Sequence, residues 1–183
     1  MNINGNAAAI AKELGEILSD VDEDSLSSLV KEIKGARRVF FSGAGRSLLM
    51  LKGFAMRLMQ LGYTVYVKGE VVTPAITDKD LLIIGSGSGE TGGLTLDAKK
   101  VKAIGAKLAL ITTDPDSTIG KLADLVVKVN VVLDKQPVVK AHVSIQPRGS
   151  AFEQSLLLLG DAVVMRLVEQ SPASVMTLHA NLE

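Results

Sequence analysis

Three hydroxyl residues set among four glycines, Ser86-Gly87-Ser88-Gly89-Glu90-Thr91-Gly92-Gly93, follow directly on the apolar run Leu81-Leu82-Ile83-Ile84-Gly85 and precede a helical pattern. An apolar strand, a glycine-rich turn and a helix start together form an arrangement that cradles phosphate. Glycine lets the backbone turn and come close to a ligand, hydroxyls donate hydrogen bonds, and the first N–H groups of a helix are unpaired. No lysine closes the loop as a P-loop would require, and Gly87-Ser88-Gly89-Glu90-Thr91-Gly92 fits Gly-x-Gly-x-x-Gly only as a short pattern of low specificity. The wealth of Ser and Thr points to a compact phosphomonoester; the alternative is a Gly/Ser turn that binds nothing. Ser86, Gly87, Ser88, Gly89, Glu90, Thr91 and Gly92 are therefore the candidate substrate-binding residues. Glu90, negative beside a dianion, is expected to turn away toward backbone N–H groups or a neighbouring subunit.

A second turn of the same kind, Gly43-Ala44-Gly45-Arg46-Ser47, follows Arg38-Val39-Phe40-Phe41-Ser42. Ser47 can face the same space as the serine loop or cap the following helix, and serine suits both. Arg46 either offsets phosphate charge or is a solvated arginine at a loop tip. Further on, Ser150-Ala151-Phe152-Glu153 fits a capping box, in which the Glu takes a backbone N–H at a helix start; a carboxylate can also transfer a proton. His179 lies in a terminal stretch, where a lone histidine is ordinarily solvated. His142 falls in an irregular segment and reads as a structural or surface residue. Arg57, in an apolar helix, suggests a structural ion pair.

The elements that must position these residues follow from periodicity. Ile3, Ala7, Ile10, Leu14 and Ile17 recur at helical spacing, and Leu26, Leu29, Val30 and Ile33 do so after the acidic start Asp22-Glu23-Asp24. Two leading helices over about 3–34 are expected. Strand, turn and helix then alternate: strands at 38–42, 63–67, 81–85, 107–112 and 125–129, helices at 48–61, 92–104 and 117–123. Residues 130–147 are irregular, and a helix over 150–168 carries the blocks Leu156-Leu157-Leu158-Leu159 and Ala162-Val163-Val164-Met165. The expected fold is α/β, one doubly wound domain with a five-stranded parallel sheet flanked by helices, because apolar strands alternating with helices bury a sheet on both faces. Ligands in such sheets bind beyond the carboxyl ends of the strands, where both glycine turns belong. The last helix, apolar nearly all round, points to a subunit interface formed with the N-terminal helices.

Composition narrows the class. A chain of 183 residues with 47% hydrophobic content fits a single domain spanning 1–183. Cysteine is absent, so thiolate nucleophiles and Cys-based metal sites are excluded. Lys plus Arg equals Asp plus Glu at 20 each and aromatics are 3%, which leaves neither a basic field nor a stacking platform for nucleic acid. Two widely separated histidines and no clustered carboxylates give no metal ligand set. No apolar stretch matches a membrane span or signal peptide, and a soluble intracellular, cytoplasmic protein is expected.

Taken together, Gly43-Ala44-Gly45-Arg46-Ser47, Phe54-Ala55-Met56-Arg57-Leu58-Met59-Gln60-Leu61-Gly62, the loop Ser86 to Thr91, Gln146-Pro147-x-Gly149-Ser150-x-Phe152-Glu153-Gln154 and the ending His179-Ala180-Asn181-Leu182-Glu183 resemble the 6-phospho-3-hexuloisomerases, enzymes built on the sugar isomerase (SIS) domain. The likeness runs over nearly the whole chain. One departure is Arg148, where the resemblance calls for Met or Leu before Gly149. The resemblance implies interconversion of D-arabino-3-hexulose 6-phosphate and D-fructose 6-phosphate through an enediol(ate), in the ribulose monophosphate route of formaldehyde assimilation, without metal or cofactor. It implies Glu153 as the base, His179 as a proton carrier in its own or a neighbouring subunit's site, Ser47 as a substrate ligand, and a homotetramer. The serine loop alone is common to all SIS domains, so a non-catalytic sugar-phosphate sensor and an isomerase of another phosphosugar are the alternatives.

Overall fold

A computed structural model describes residues 2–132, 142–169 and 178–181. Two capped helices lead: α1 (Ile3–Ser19), whose Gly5 N–H is taken by the Asn2 side chain at 2.8 Å, and α2 (Glu23–Gly35), capped by Asp22 through Ser25 N–H at 2.8 Å. Then follow β1 (Val39–Gly43), α3 (Gly45–Gln60), β2 (Val65–Val67), β3 (Leu81–Gly85), α4 (Gly92–Ile104), β4 (Lys107–Thr112), α5 (Thr118–Leu122), β5 (Leu125–Lys128) and α6 (Ser150–Glu169). The five strands form one parallel sheet, as the alternation of strand and helix patterns implied, and the fold sets their order as β2-β1-β3-β4-β5.

Side chains alternate across each strand, and both faces are apolar. Val39, Phe41, Leu81, Ile83, Ala109 and Ile111 point into a core closed by α2, α3 and α6, with Ile17 of α1 joining it. Phe40, Leu82, Ile84, Leu108 and Leu110 point to the other side, under Leu94, Ala98 and Val101 of α4 and Ile119 of α5. Two buried faces explain why the strands read as continuous apolar runs.

The strand order reverses between β1 and β3, since the chain runs from β1 outward to β2 and then crosses to β3. Their last residues, Gly43 and Gly85, are register partners. From Gly43 the chain enters α3 on one face, and from Gly85 it enters α4 on the other, so the two glycine turns diverge and open a crevice at the sheet's carboxyl edge. Both glycines are also needed for packing. A Cβ on Gly85 would lie 2.9 Å from Leu51 Cδ1, and one on Gly43 3.2 Å from the Leu48 Cα. Helix α6 runs alongside α3 in the same direction, with Glu153 beside Arg46, Leu157 against Gly53 and Gly160 against Phe54.

Candidate functional site

The serine loop is built from the inside outward. Ser86 is buried; its N–H donates to the Ile111 carbonyl at 3.1 Å, and its Oγ accepts the Gly89 N–H at 3.2 Å and lies 3.5 Å from Thr91 Oγ1. The Gly87 carbonyl is turned toward β4, where it accepts from Thr112 Oγ1 at 2.9 Å, Thr113 Oγ1 at 3.0 Å and the Thr113 N–H at 3.0 Å. Gly89 has φ +61, and a Cβ there would fall 2.0 Å from Ser117 Oγ, so only glycine fits. With the carbonyls pinned outward, the N–H groups of Gly87, Ser88, Thr91, Gly92 and Gly93 take no backbone acceptor among the described residues. Gly92 and Gly93 are exposed and head α4, with open space around them. The exposed Ser88 hydroxyl accepts the Glu90 N–H at 3.2 Å, which leaves its proton available. The result is an uncharged concave set of donors at a helix N-terminus, suited to a phosphate.

Glu90 behaves as its charge requires. Its carboxylate accepts the Thr118 N–H, tying the loop to α5. That bond, then the Thr118 hydroxyl and the charge of Lys121, hold the carboxyl below the usual glutamate range.

Ser47 sits within the first turn of α3, because that helix begins at Gly45 with Ala44 as its N-cap. The capping role is thereby excluded, and the half-buried Ser47 hydroxyl carries no hydrogen bond among the described residues. Glu153 is likewise not in a capping box. Its N–H bonds to the Gly149 carbonyl at 3.0 Å, which makes Gly149 the cap position, and the Ser150 N–H is already taken by the Pro147 carbonyl at 3.0 Å. The Glu153 side chain instead reaches Arg46, Oε2 to NH1 at 2.8 Å, with Glu153 one-fifth and Arg46 nearly half exposed. The first glycine turn and the start of α6 are thus joined by an ion pair at the same edge as the serine loop.

The ring of His179 is exposed, and its Nδ1 meets the Ala180 carbonyl at 3.1 Å, with no hydrogen bond to Glu153 among the described residues. Leu182 and Glu183 of the matched ending lie outside the described residues. Arg57 bonds to Gln60 Oε1 at 2.9 Å, where an ion pair was expected. His142, assigned to structure or surface, is partly exposed and lies 3.0 Å from Glu13. Among the described residues no three His, Cys, Asp or Glu side chains gather as a metal site.

Two parts of the site, and one buried acid beyond it, escaped the sequence reading. Thr112 and Thr113, which hold the Gly87 carbonyl, end β4 as Ser86 follows β3, and the same rule of hydroxyls at a strand's carboxyl end would have found them. Ser117 packs under Gly89. Glu13 lies on the apolar stripe of α1 with Ile10, Leu14 and Ile17, an acid at a core position, and that was its signal.

The chain matches the model of the SIS domain over residues 32–158 and belongs to that family. Among its relatives, the 3-hexulose-6-phosphate isomerase of Bacillus subtilis is 41% identical over 179 residues, covering 96% of each chain. That of Mycobacterium gastri is 40% identical over 185 residues, covering 100% of this chain and 92% of the relative. A crystal structure of a hypothetical protein from Methanococcus jannaschii, reported to infer a 3-hexulose-6-phosphate isomerase function, superposes with a TM-score of 0.83 at 30% identity, covering 98% of this chain and 99% of that one.

Proposed function

We propose that the chain is a 3-hexulose-6-phosphate isomerase, interconverting D-arabino-3-hexulose 6-phosphate and D-fructose 6-phosphate. The observation that carries this reading is the Arg46–Glu153 pair at 2.8 Å, placed at the same sheet edge as the uncharged donor set of the serine loop. The isomerase relatives, at about 40% identity over most of the chain, support it.

The phosphate seats against the free N–H groups of Gly87, Ser88 and Thr91 to Gly93, with the hydroxyls of Ser88, Thr91 and Ser47. Glu90, turned to α5, stays out of the dianion's way. Anchoring the phosphate leaves the carbonyl end of the sugar toward Glu153. Glu153 removes the C2 proton of the 3-hexulose, an enediol(ate) forms, and the proton returns at C3. The C2 hydroxyl gives up its proton and becomes the carbonyl, while the former C3 carbonyl oxygen gains one. Arg46 holds the carboxylate in place and stands near the oxygens on which negative charge develops. His179 carries the proton between those oxygens, a task suited to imidazole, and reaches the site from a neighbouring subunit. The chemistry calls for no metal or organic cofactor.

Residues 1–183 act as one domain, with α1, α2 and the rest of α6 extending the family-matched region. The assembly is a homotetramer joined through α1 and α6, which keep exposed apolar side chains at Ile3, Leu158, Met165 and Val168. The setting is the cytoplasm, in the ribulose monophosphate route of formaldehyde fixation; no described helix is long and apolar enough to cross a membrane. The test is a coupled assay of the purified protein with enzymatically made 3-hexulose 6-phosphate and a chelator. Fructose 6-phosphate formation is expected, and its absence would overturn the reading.

A further inference from the structure

Glu13, on α1, is 4% exposed, yet no lysine or arginine contacts it among the described residues. Its carboxylate is satisfied by one short segment. The Ile145 N–H donates to Oε1 at 2.7 Å, the Gln146 Nε2 to Oε2 at 2.8 Å, and His142 Nε2 lies 3.0 Å from Oε1. A carboxylate taken from water is costly unless its lone pairs are filled, so burial of Glu13 commits residues 142–146 to one conformation. That segment leads in a single step to Pro147, whose carbonyl accepts the Ser150 N–H, and to Gly149 at φ +82, whose carbonyl accepts the Glu153 N–H. α1 also packs on α6. The bonds from Glu13 therefore end at the turn that sets where Glu153 stands against Arg46.

We infer that Glu13 is a positioning residue for the isomerisation: a buried carboxylate clamp that fixes the 142–149 turn and, through it, the Glu153 carboxylate at the sugar. The inference rests on the reading of Glu153 as the base. The phosphate loop shares no bond with the clamp, so loosening it displaces the base and leaves phosphate binding intact. Misplacement by about an ångström costs on the order of 10²-fold in rate.

The test measures kcat, KM and melting temperature of the full-length protein and its Glu13→Gln, Gln146→Leu and Glu153→Gln variants, with 3-hexulose 6-phosphate as substrate. In Glu13→Gln an amide NH2 replaces one acceptor oxygen. The expected result is a fall in kcat of roughly 10–10²-fold with KM within about threefold, and a smaller fall in the same parameter for Gln146→Leu. The Glu13→Gln penalty should vanish in a Glu153→Gln background, because a residue acting through Glu153 has nothing left to position. A purely structural role would lower the melting temperature, leave kcat of the folded protein unchanged, and add its effect equally in both backgrounds; that pattern would overturn the inference. If Glu13→Gln does not fold, Gln146→Leu decides alone, unchanged kcat counting against the clamp. Full activity in Glu153→Gln would overturn the reading of the base itself, a result distinct from an active Glu13→Gln beside an inactive Glu153→Gln.

Discussion

At the scale of single residues, the proposed seat for phosphate is made of groups without charge. Ser88 offers a hydroxyl proton because its oxygen is already engaged by the Glu90 N–H. A hydrogen bond to a charged partner is worth about 1.5–3 kcal/mol, so Ser88→Ala should raise KM by about tenfold or more with little change in kcat, measurable by steady-state kinetics. An unchanged KM in both Ser88→Ala and Thr91→Ala would remove the loop from the site. The types and spacing of these residues, and the outward turn of Glu90, were legible in the sequence because they follow from charge and strand-end chemistry. The partners of Ser47 and Glu153 were not. Both sit near helix starts where Ser and Glu fit capping patterns, and only the real boundaries, Gly45 for α3 and Gly149 as the cap of α6, removed those alternatives. Boundaries are the least legible feature of a helix, since they depend on tertiary contacts that the local pattern does not contain.

At the scale of elements, the opposite edge of the sheet is pinned by one buried carboxylate. Asp80, just before β3, accepts from Arg38 NH2 at 2.7 Å, from Arg37 NH2 at 3.1 Å, and from the Thr77 N–H at 2.8 Å. Burial pushes its pKa up, but the two guanidinium groups and Thr77 outweigh this and hold it well below the usual aspartate range. With the folded pKa below the unfolded value of about 3.9, the stabilisation is fully present above that value and is lost as pH falls through it toward the folded pKa. Breaking a buried pair costs 3–5 kcal/mol, and the partly exposed arginines can rehydrate, so Asp80→Asn should cost about 3 kcal/mol at pH 7. Urea unfolding at pH 7 and below pH 4 should show the gap between parent and variant narrowing on acidification. Nothing in the sequence marked Asp80, because Arg37, Arg38 and Asp80 come together only when β1 and β3 pair.

At the scale of the whole molecule, the five-stranded parallel sheet and its two-faced core were legible, because apolar strands alternating with helices bury a sheet on both faces; the order of the strands was read only from the fold. Which side of α6 remains for a partner was not legible either, since a helix apolar nearly all round carries no outward face in its pattern. Val164 is buried and Leu157 packs at Gly53, whereas Met165 is 66% exposed beside a groove of about 340 Å³ between α2 and α6. Met165→Lys should therefore dissociate the proposed homotetramer without unfolding it, seen as a fall in mass by light scattering with an unchanged circular dichroism spectrum, while the parent is expected to scatter as a tetramer at micromolar concentration. A monomeric parent would contradict that assembly. The central claim, that Glu153 is the base of a 3-hexulose-6-phosphate isomerase, is tested most directly by the turnover of Glu153→Gln. This amide keeps the length and hydrogen-bonding shape of the side chain but cannot take a proton from carbon. Turnover should fall by roughly 10²–10⁴-fold, the range for a positioned general base, with the fold intact and KM within a few-fold; a Gln variant that turns over as fast as the parent would contradict the account.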